Sequence, residues 1–140
     1  MAKRVLVVDD HVPTRSLIRT ILEAEKTASF EVTEAGTGTD CLKAVDKGPE
    51  FDLILLDVNL PDMDGYEVCR ALRHVDKSVP IVFVTAKGDL KDYTAGREAG
   101  ADSYLVKPIA RAALRSIVAL FTSIERSGRP SERTKGELAG

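Results

Sequence analysis

Four short apolar runs in this 140-residue chain end in groups capable of chemistry. "RVLVV" (4–8) leads into Asp9-Asp10, and "DLILL" (52–56) into Asp57. "PIVFV" (80–84) leads into Thr85-Ala86, and "SYLV" (103–106) into Lys107-Pro108. If the fold brings these ends together, three carboxylates, one hydroxyl and one ammonium share a shallow cleft. Carboxylates crowded in this way raise one another's pKa and need a positive partner. A hard divalent cation suits them: Mg²⁺ takes oxygen ligands and binds through one or two carboxylates while keeping several waters. With Lys107 as a second positive centre, the set suits phosphoryl chemistry. Cationic groups neutralise the phosphoryl oxygens, and a carboxylate serves as nucleophile.

The elements that would position these groups follow from the hydrophobic pattern. "FEVTEA" (30–35) completes a set of five strand-type segments rich in Val, Ile and Leu. Three of them barely alternate, as strands buried on both faces should. Helical spacing fills the intervals. Residues 13–25 place Leu17, Ile18, Ile21 and Leu22 on one face, with Pro13 in the first turn. Residues 37–47 carry Cys41, Leu42 and Val45, and residues 65–75 carry Val68, Ala71, Leu72 and Val75. Residues 88–99 offer Leu90, Tyr93 and Ala99, with Gly88 and Gly96 lowering helix propensity. Residues 109–125 carry Ala113, Ile117, Leu120, Phe121 and Ile124. Five β-α units imply right-handed crossovers and a parallel α/β sheet with helices on both faces. Such sheets bind ligands at the carboxyl ends of their strands.

Composition narrows the function further. Apolar residues make up 44% and charged residues 30%, an ordinary globular balance. A net charge of −2 argues against contact with nucleic acid. Cys41 and Cys69 lie outside any C-x-x-C pattern and read as free thiols in a reducing cytosol. "MAKRVLVVDD" is no signal peptide, since its apolar run ends in two aspartates. No apolar stretch approaches the roughly 20 residues of a membrane span, so a cytoplasmic location is expected. Residues 126–140 are polar and rich in Gly and charge. They cannot bury enough surface to fold alone and read as a flexible tail or a linker, leaving 1–125 as the folded domain.

The segments "VLVVDDHVPTR", "LILLDVNLPDMDGYE", "IVFVTA" and "GADSYLVKP" resemble the motifs of response-regulator receiver domains of two-component signalling. The resemblance covers about residues 3–125 and implies a flavodoxin-like sheet of order 2-1-3-4-5. It implies Asp57 as phosphoacceptor, taking a phosphoryl group from a histidine kinase or phosphotransfer protein. It implies Mg²⁺, with Mn²⁺ as an alternative, ligated by Asp10, Asp57 and the main-chain carbonyl of Asn59, and by Asp9 through water. Lys107 would pair with Asp57 and then with the phosphoryl group, across a cis Lys107-Pro108 peptide. Thr85 would be the switch hydroxyl and Tyr104 the coupled aromatic switch. Asn59 and Lys87 would tune the lifetime of the aspartyl phosphate. The outlet would be the face of the fourth helix, fifth strand and fifth helix.

On this reading the protein is a phosphorylation-controlled switch and not a metabolic enzyme, assisting only its own phosphorylation and dephosphorylation. Two rivals stand beside it: a Mg²⁺-dependent phosphatase with an aspartate nucleophile, and a phosphorylation-independent docking module. The phosphatase class usually needs a second acid two residues after the nucleophile, where this chain has Asn59. The apolar last helix occupies more than one face, which fits either a wide core face or a homodimer or partner surface. Gly96 would loosen the fourth helix so that it shifts cheaply. Asp62 and Asp64, with Pro61 and Gly65, would shape the turn that starts the third helix. Asp52 reads as a strand-entry acid. The output domain or partner is not identified by any residue of the chain.

Overall fold

The computed structural model describes residues 2–86 and 90–123, with only the backbone of 90 and 91. In chain order the elements are β1 (Lys3–Val8), α1 (Val12–Glu23), β2 (Phe30–Ala35), α2 (Gly38–Lys47), β3 (Leu53–Leu56) and α3 (Gly65–Val75). They continue with β4 (Ile81–Thr85), α4 (Leu90–Ala99), β5 (Ser103–Val106) and α5 (Arg111–Thr122). The strands form one parallel sheet in the order β2-β1-β3-β4-β5. This is the implied α/β architecture.

Burial explains which runs lose their alternation. In β3 and β4 every residue is buried, and in β1 the last four are. These are the three inner strands, covered on both faces. The edge strands β2 and β5 keep exposed or half-exposed positions. Within β1, Leu6 and Val8 face α2, α3 and α4, in a core with Cys41, Leu72 and Phe83. Val5 and Val7 face α1 and α5, in a second core with Ile18, Leu22, Leu114 and Val118. Both cysteines are buried, and burial pushes the Cys41 thiol up to about 12.

Several helix faces differ from the sequence expectation. Leu17 is 46% exposed, and α1 is buried through Ile18, Ile21 and Leu22. Tyr93 is exposed while Ala99 is buried. In α5 the buried stripe is Leu114, Val118 and Thr122 at i, i+4 spacing. Ala113 lies outside, Leu120 is 60% exposed, and Ile117 and Phe121 are half-buried. That helix is Ala-rich and apolar on several sides, so its pattern does not select one face. Ile124 and the tail lie outside the described residues, as do Lys87 and Gly88. Gly96 has a packing role as well: a Cβ there would lie 3.2 Å from the Phe83 ring and 3.4 Å from the Tyr104 ring. Its bare Cα lets α4 settle on both aromatics.

The acids around the β3–α3 connection divide differently from expectation. Asp64 caps α3, accepting from the Tyr66 amide at 2.7 Å. Asp62 instead reaches the start of α2. Its carboxylate accepts from the Gly38 and Thr39 amides at 2.8 and 2.9 Å and from the Thr39 hydroxyl at 2.6 Å. Thr37 is the residue at the N-cap of α2, so Asp62 adds a distant second cap. These bonds, led by that from Thr39, hold the Asp62 carboxyl down at about 2. Asp62→Ala is therefore expected to cost about 1 kcal/mol in urea unfolding at neutral pH. A depressed carboxyl stabilises above its unfolded pKa, and the benefit is lost as pH falls through its folded value. The difference from wild type should thus shrink as pH falls from the ordinary carboxylate value of 3.8 through about 2. A difference unchanged across that range would disprove the cap. Asp52 does more than begin a strand: it accepts from the Arg4 amide at 2.8 Å and ties β1 to the entry of β3.

Candidate functional site

The carboxyl ends of β1, β3 and β5 gather the predicted acids and the lysine. The Asp9 amide donates to the Ala35 carbonyl at 3.0 Å, which carries the β1–β2 ladder one residue further. The Asp57 amide donates to the Val8 carbonyl at 2.9 Å and does the same between β3 and β1. The Lys107 amide donates to the Thr85 carbonyl at 2.8 Å, which fixes the residue after β5 against the end of β4. The Lys107-Pro108 peptide is cis, as implied.

Lys107 Nζ reaches Asp9 Oδ2 at 2.6 Å and Asp57 Oδ2 at 3.0 Å. The Asp9 and Asp57 side chains are only 3% and 7% exposed, and that of Lys107 22%. The other Asp9 oxygen accepts from the His11 amide at 2.9 Å, and Asp57 Oδ1 from the Asn59 amide at 3.3 Å. Burial raises the Asp9 pKa above the usual carboxylate value; the bond from Lys107 opposes this and the nearby Asp57 adds to it. Burial also disfavours the Lys107 ammonium, but its two carboxylate partners together outweigh that and hold its pKa above the lysine value. Lysine is thus locked in its charged form between two acids.

One ligand oxygen each from Asp9, Asp10 and Asp57 lies within 4.8 Å of the others. Asp10 is exposed, whereas Asp9 and Asp57 are buried. Among the described residues one ammonium, bonded to two of the acids, stands against three clustered carboxylates, a charge imbalance that a divalent cation would offset. An all-oxygen set with one solvent-facing member fits Mg²⁺, which keeps part of its water shell. Asn59 is exposed at the cleft mouth and bridges to Asp64. Thr85 is fully buried at the end of β4. Tyr104 is half-buried with its hydroxyl oxygen enclosed, and its ring centroid lies 6.0 Å from that of Phe83 and 6.1 Å from that of Tyr93. Lys87 lies outside the described residues. His11 is exposed, and its Nδ1 pairs with the Thr14 hydroxyl at 2.7 Å.

Sequence reasoning missed Arg15. Its Nη1 donates to the Asp9 carbonyl at 2.6 Å, and its Nε to Glu34 Oε1 at 2.9 Å. An arginine six residues after an acid, with a glutamate near the end of the neighbouring strand, was the available signal.

Comparison with known proteins places this architecture. The family profile described as "Response regulator receiver domain" matches residues 5–119. The chain is 44% identical over 108 residues to the DNA-binding response regulator MtrA of Mycolicibacterium paratuberculosis, covering 77% of this chain and 46% of that protein. It is 45% identical over 107 residues to the transcriptional regulatory protein ResD of Bacillus subtilis, covering 75% and 42%. The chain thus spans about half the length of the curated relatives it matches. Among solved structures, a CheY-like receiver domain protein from Methanospirillum hungatei superposes with a TM-score of 0.80 at 29% identity, covering 88% of this chain and 95% of that one. The beryllofluoride-activated DrrB receiver domain does so with 0.76 at 30% identity, covering 89% and 100%. The chain belongs to the response regulator receiver domain family. It is a signalling domain of two-component systems, whose members generally bind Mg²⁺ and are phosphorylated by histidine kinases. No helix among the described residues is long and apolar enough to cross a membrane.

Proposed function

We propose that Asp57 accepts a phosphoryl group from the phosphohistidine of a histidine kinase or phosphotransfer protein. An Asp57 carboxylate oxygen forms the new P–O bond as the P–N bond to the donor imidazole breaks. The bonding pair leaves with that nitrogen, which takes up a proton. Asp10, Asp57 and the Asn59 carbonyl would hold Mg²⁺, with Asp9 acting through water, and the ion would supply charge neutralisation to the phosphoryl oxygens when bound. Lys107 keeps the Asp57 carboxylate aimed at the cleft mouth and then donates to a phosphoryl oxygen. The observation that carries the reading is the Lys107 ammonium bridging the buried Asp9 and Asp57 carboxylates.

Signalling then runs outward. Thr85 donates its hydroxyl to the new phosphoryl group, and Tyr104 follows as the aromatic partner of Phe83 and Tyr93. The α4-β5-α5 face changes its population between two arrangements. That face receives the output partner or a fused output domain, or a second copy of the chain. Asn59 and Lys87 set the lifetime of the phosphorylated form, and the domain assists both making and breaking the acyl phosphate. Residues 1–125 act as the receiver, with 126–140 as tail or linker.

The test uses acetyl phosphate as donor with Mg²⁺ and reads the intact mass. Wild type should gain one phosphoryl group, and Asp57→Asn should gain none. Omitting Mg²⁺ should suppress the gain. Labelling of Asp57→Asn at the wild-type rate would remove Asp57 from the role.

A further inference from the structure

The acidic loop is held from behind by a group outside the carboxylate cluster. Asp9 ends the β1 ladder, with its amide bonded to Ala35. Its carbonyl accepts from Arg15 Nη1. That carbonyl belongs to the planar Asp9–Asp10 peptide, so whatever fixes it fixes the Cα positions of both acids at once. The Arg15 side chain is largely buried and is itself fixed, because its Nε is bonded to Glu34. Glu34 sits on β2 beside β1, in register with Val7, and its second oxygen is held by Arg19 Nε at 2.7 Å. A Cβ on Gly36 would come within 3.2 Å of Arg15 Nη1, so a glycine there leaves the guanidinium its place.

We infer that Arg15 is a positioning residue: clamped by Glu34, it fixes the Asp9–Asp10 peptide and thereby sets the affinity of the acid cluster for a divalent cation. The inference rests on the reading that Asp9, Asp10 and Asp57 hold that cation. Its role is geometric, since its charge is matched by Glu34 at 2.9 Å. The planar fork lets one nitrogen hold Glu34 while another holds the carbonyl, which a lysine ammonium cannot reproduce in the same geometry.

Calorimetric titration with Mg²⁺ tests this, alongside thermal unfolding in a chelator. Arg15→Met is expected to raise the Mg²⁺ dissociation constant about tenfold, the usual effect of removing a group that orients metal ligands. Arg15→Lys should not restore it. Arg19→Ala removes one hold on Glu34 but leaves the Arg15–Glu34 and Arg15–Asp9 bonds in place, so it should raise the dissociation constant less than Arg15→Met does. Gly36→Ala crowds the guanidinium and should give a smaller rise, which keeps the test available if Arg15→Met fails to fold. Wild-type affinity in both Arg15→Lys and Gly36→Ala would overturn the inference, as would a rise in Arg19→Ala as large as that in Arg15→Met. Absence of Mg²⁺ binding in wild type would overturn the site reading itself, and the two failures are thereby distinct.

Discussion

Lys107→Met is expected to abolish phosphorylation of Asp57 by acetyl phosphate and to destabilise the metal-free protein by about 3 kcal/mol at neutral pH. Methionine keeps the apolar stem and removes the ammonium that lies within 3.0 Å of both buried carboxylates. The two acids are then left without their shared counter-charge, which is the costly way to break a buried ion pair. The pH dependence has a definite sign. A carboxyl whose folded pKa lies above its unfolded value binds a proton more readily in the native state, so stability falls as pH rises between the two. Asp9 is such a group, through burial first and Asp57 beside it. The penalty in Lys107→Met should therefore shrink as pH is lowered through the raised Asp9 pKa, and added Mg²⁺ should shrink it at neutral pH. Urea unfolding in a chelator across a pH series measures both. A variant as stable as wild type at neutral pH, or one that is phosphorylated normally, would contradict the bridge.

The strands and the chemistry-bearing strand ends were legible because an inner parallel strand has no polar face. "LILL" and "IVFV" can only be buried on both sides, so the residue after each must emerge at the sheet edge. Helix faces were less legible where apolar residues are plentiful. Leu17 and Leu120 could extend an apolar stripe on paper, yet Ile18 and Val118 occupy the contact with the sheet. Asp62 was misassigned because its partners lie 23 and 24 residues away at the start of another helix. Arg15 escaped notice for a related reason: it acts on a main-chain carbonyl, a group every residue possesses and no sequence motif marks. The directness of the Asp9–Lys107 contact was hidden as well. A pair of adjacent aspartates does not reveal that the first is buried and the second exposed.

Gly65→Ala should reverse the usual benefit of replacing a helical glycine. In an open helix the change would gain up to about 1 kcal/mol. Here a Cβ would stand 2.2 Å from the Asp57 carbonyl oxygen and 2.7 Å from the Val58 Cα. Both are backbone atoms of the segment leaving β3, and the Gly65 amide is bonded to the Val58 carbonyl at 2.7 Å. Neither side can turn away as a flexible side chain would, so α3 must retreat or the peptide after Asp57 must move. Overpacking of this kind costs about 1–3 kcal/mol and sometimes more, enough to outweigh the helix gain. The net expectation is a loss of about 2 kcal/mol in urea unfolding. Slower phosphorylation should accompany it, since the displaced atoms carry Asp57, the proposed phosphoacceptor. Gly38→Ala provides the contrast. There the closest atoms are Met63 Sδ at 2.8 Å and Val68 Cγ2 at 2.9 Å, both side chains. The Met63 thioether can rotate aside. The loss at Gly38 should be smaller, and phosphorylation of Asp57 should stay near the wild-type rate. Equal losses at the two glycines would mean that the close approach to Asp57 is not what demands a glycine at position 65.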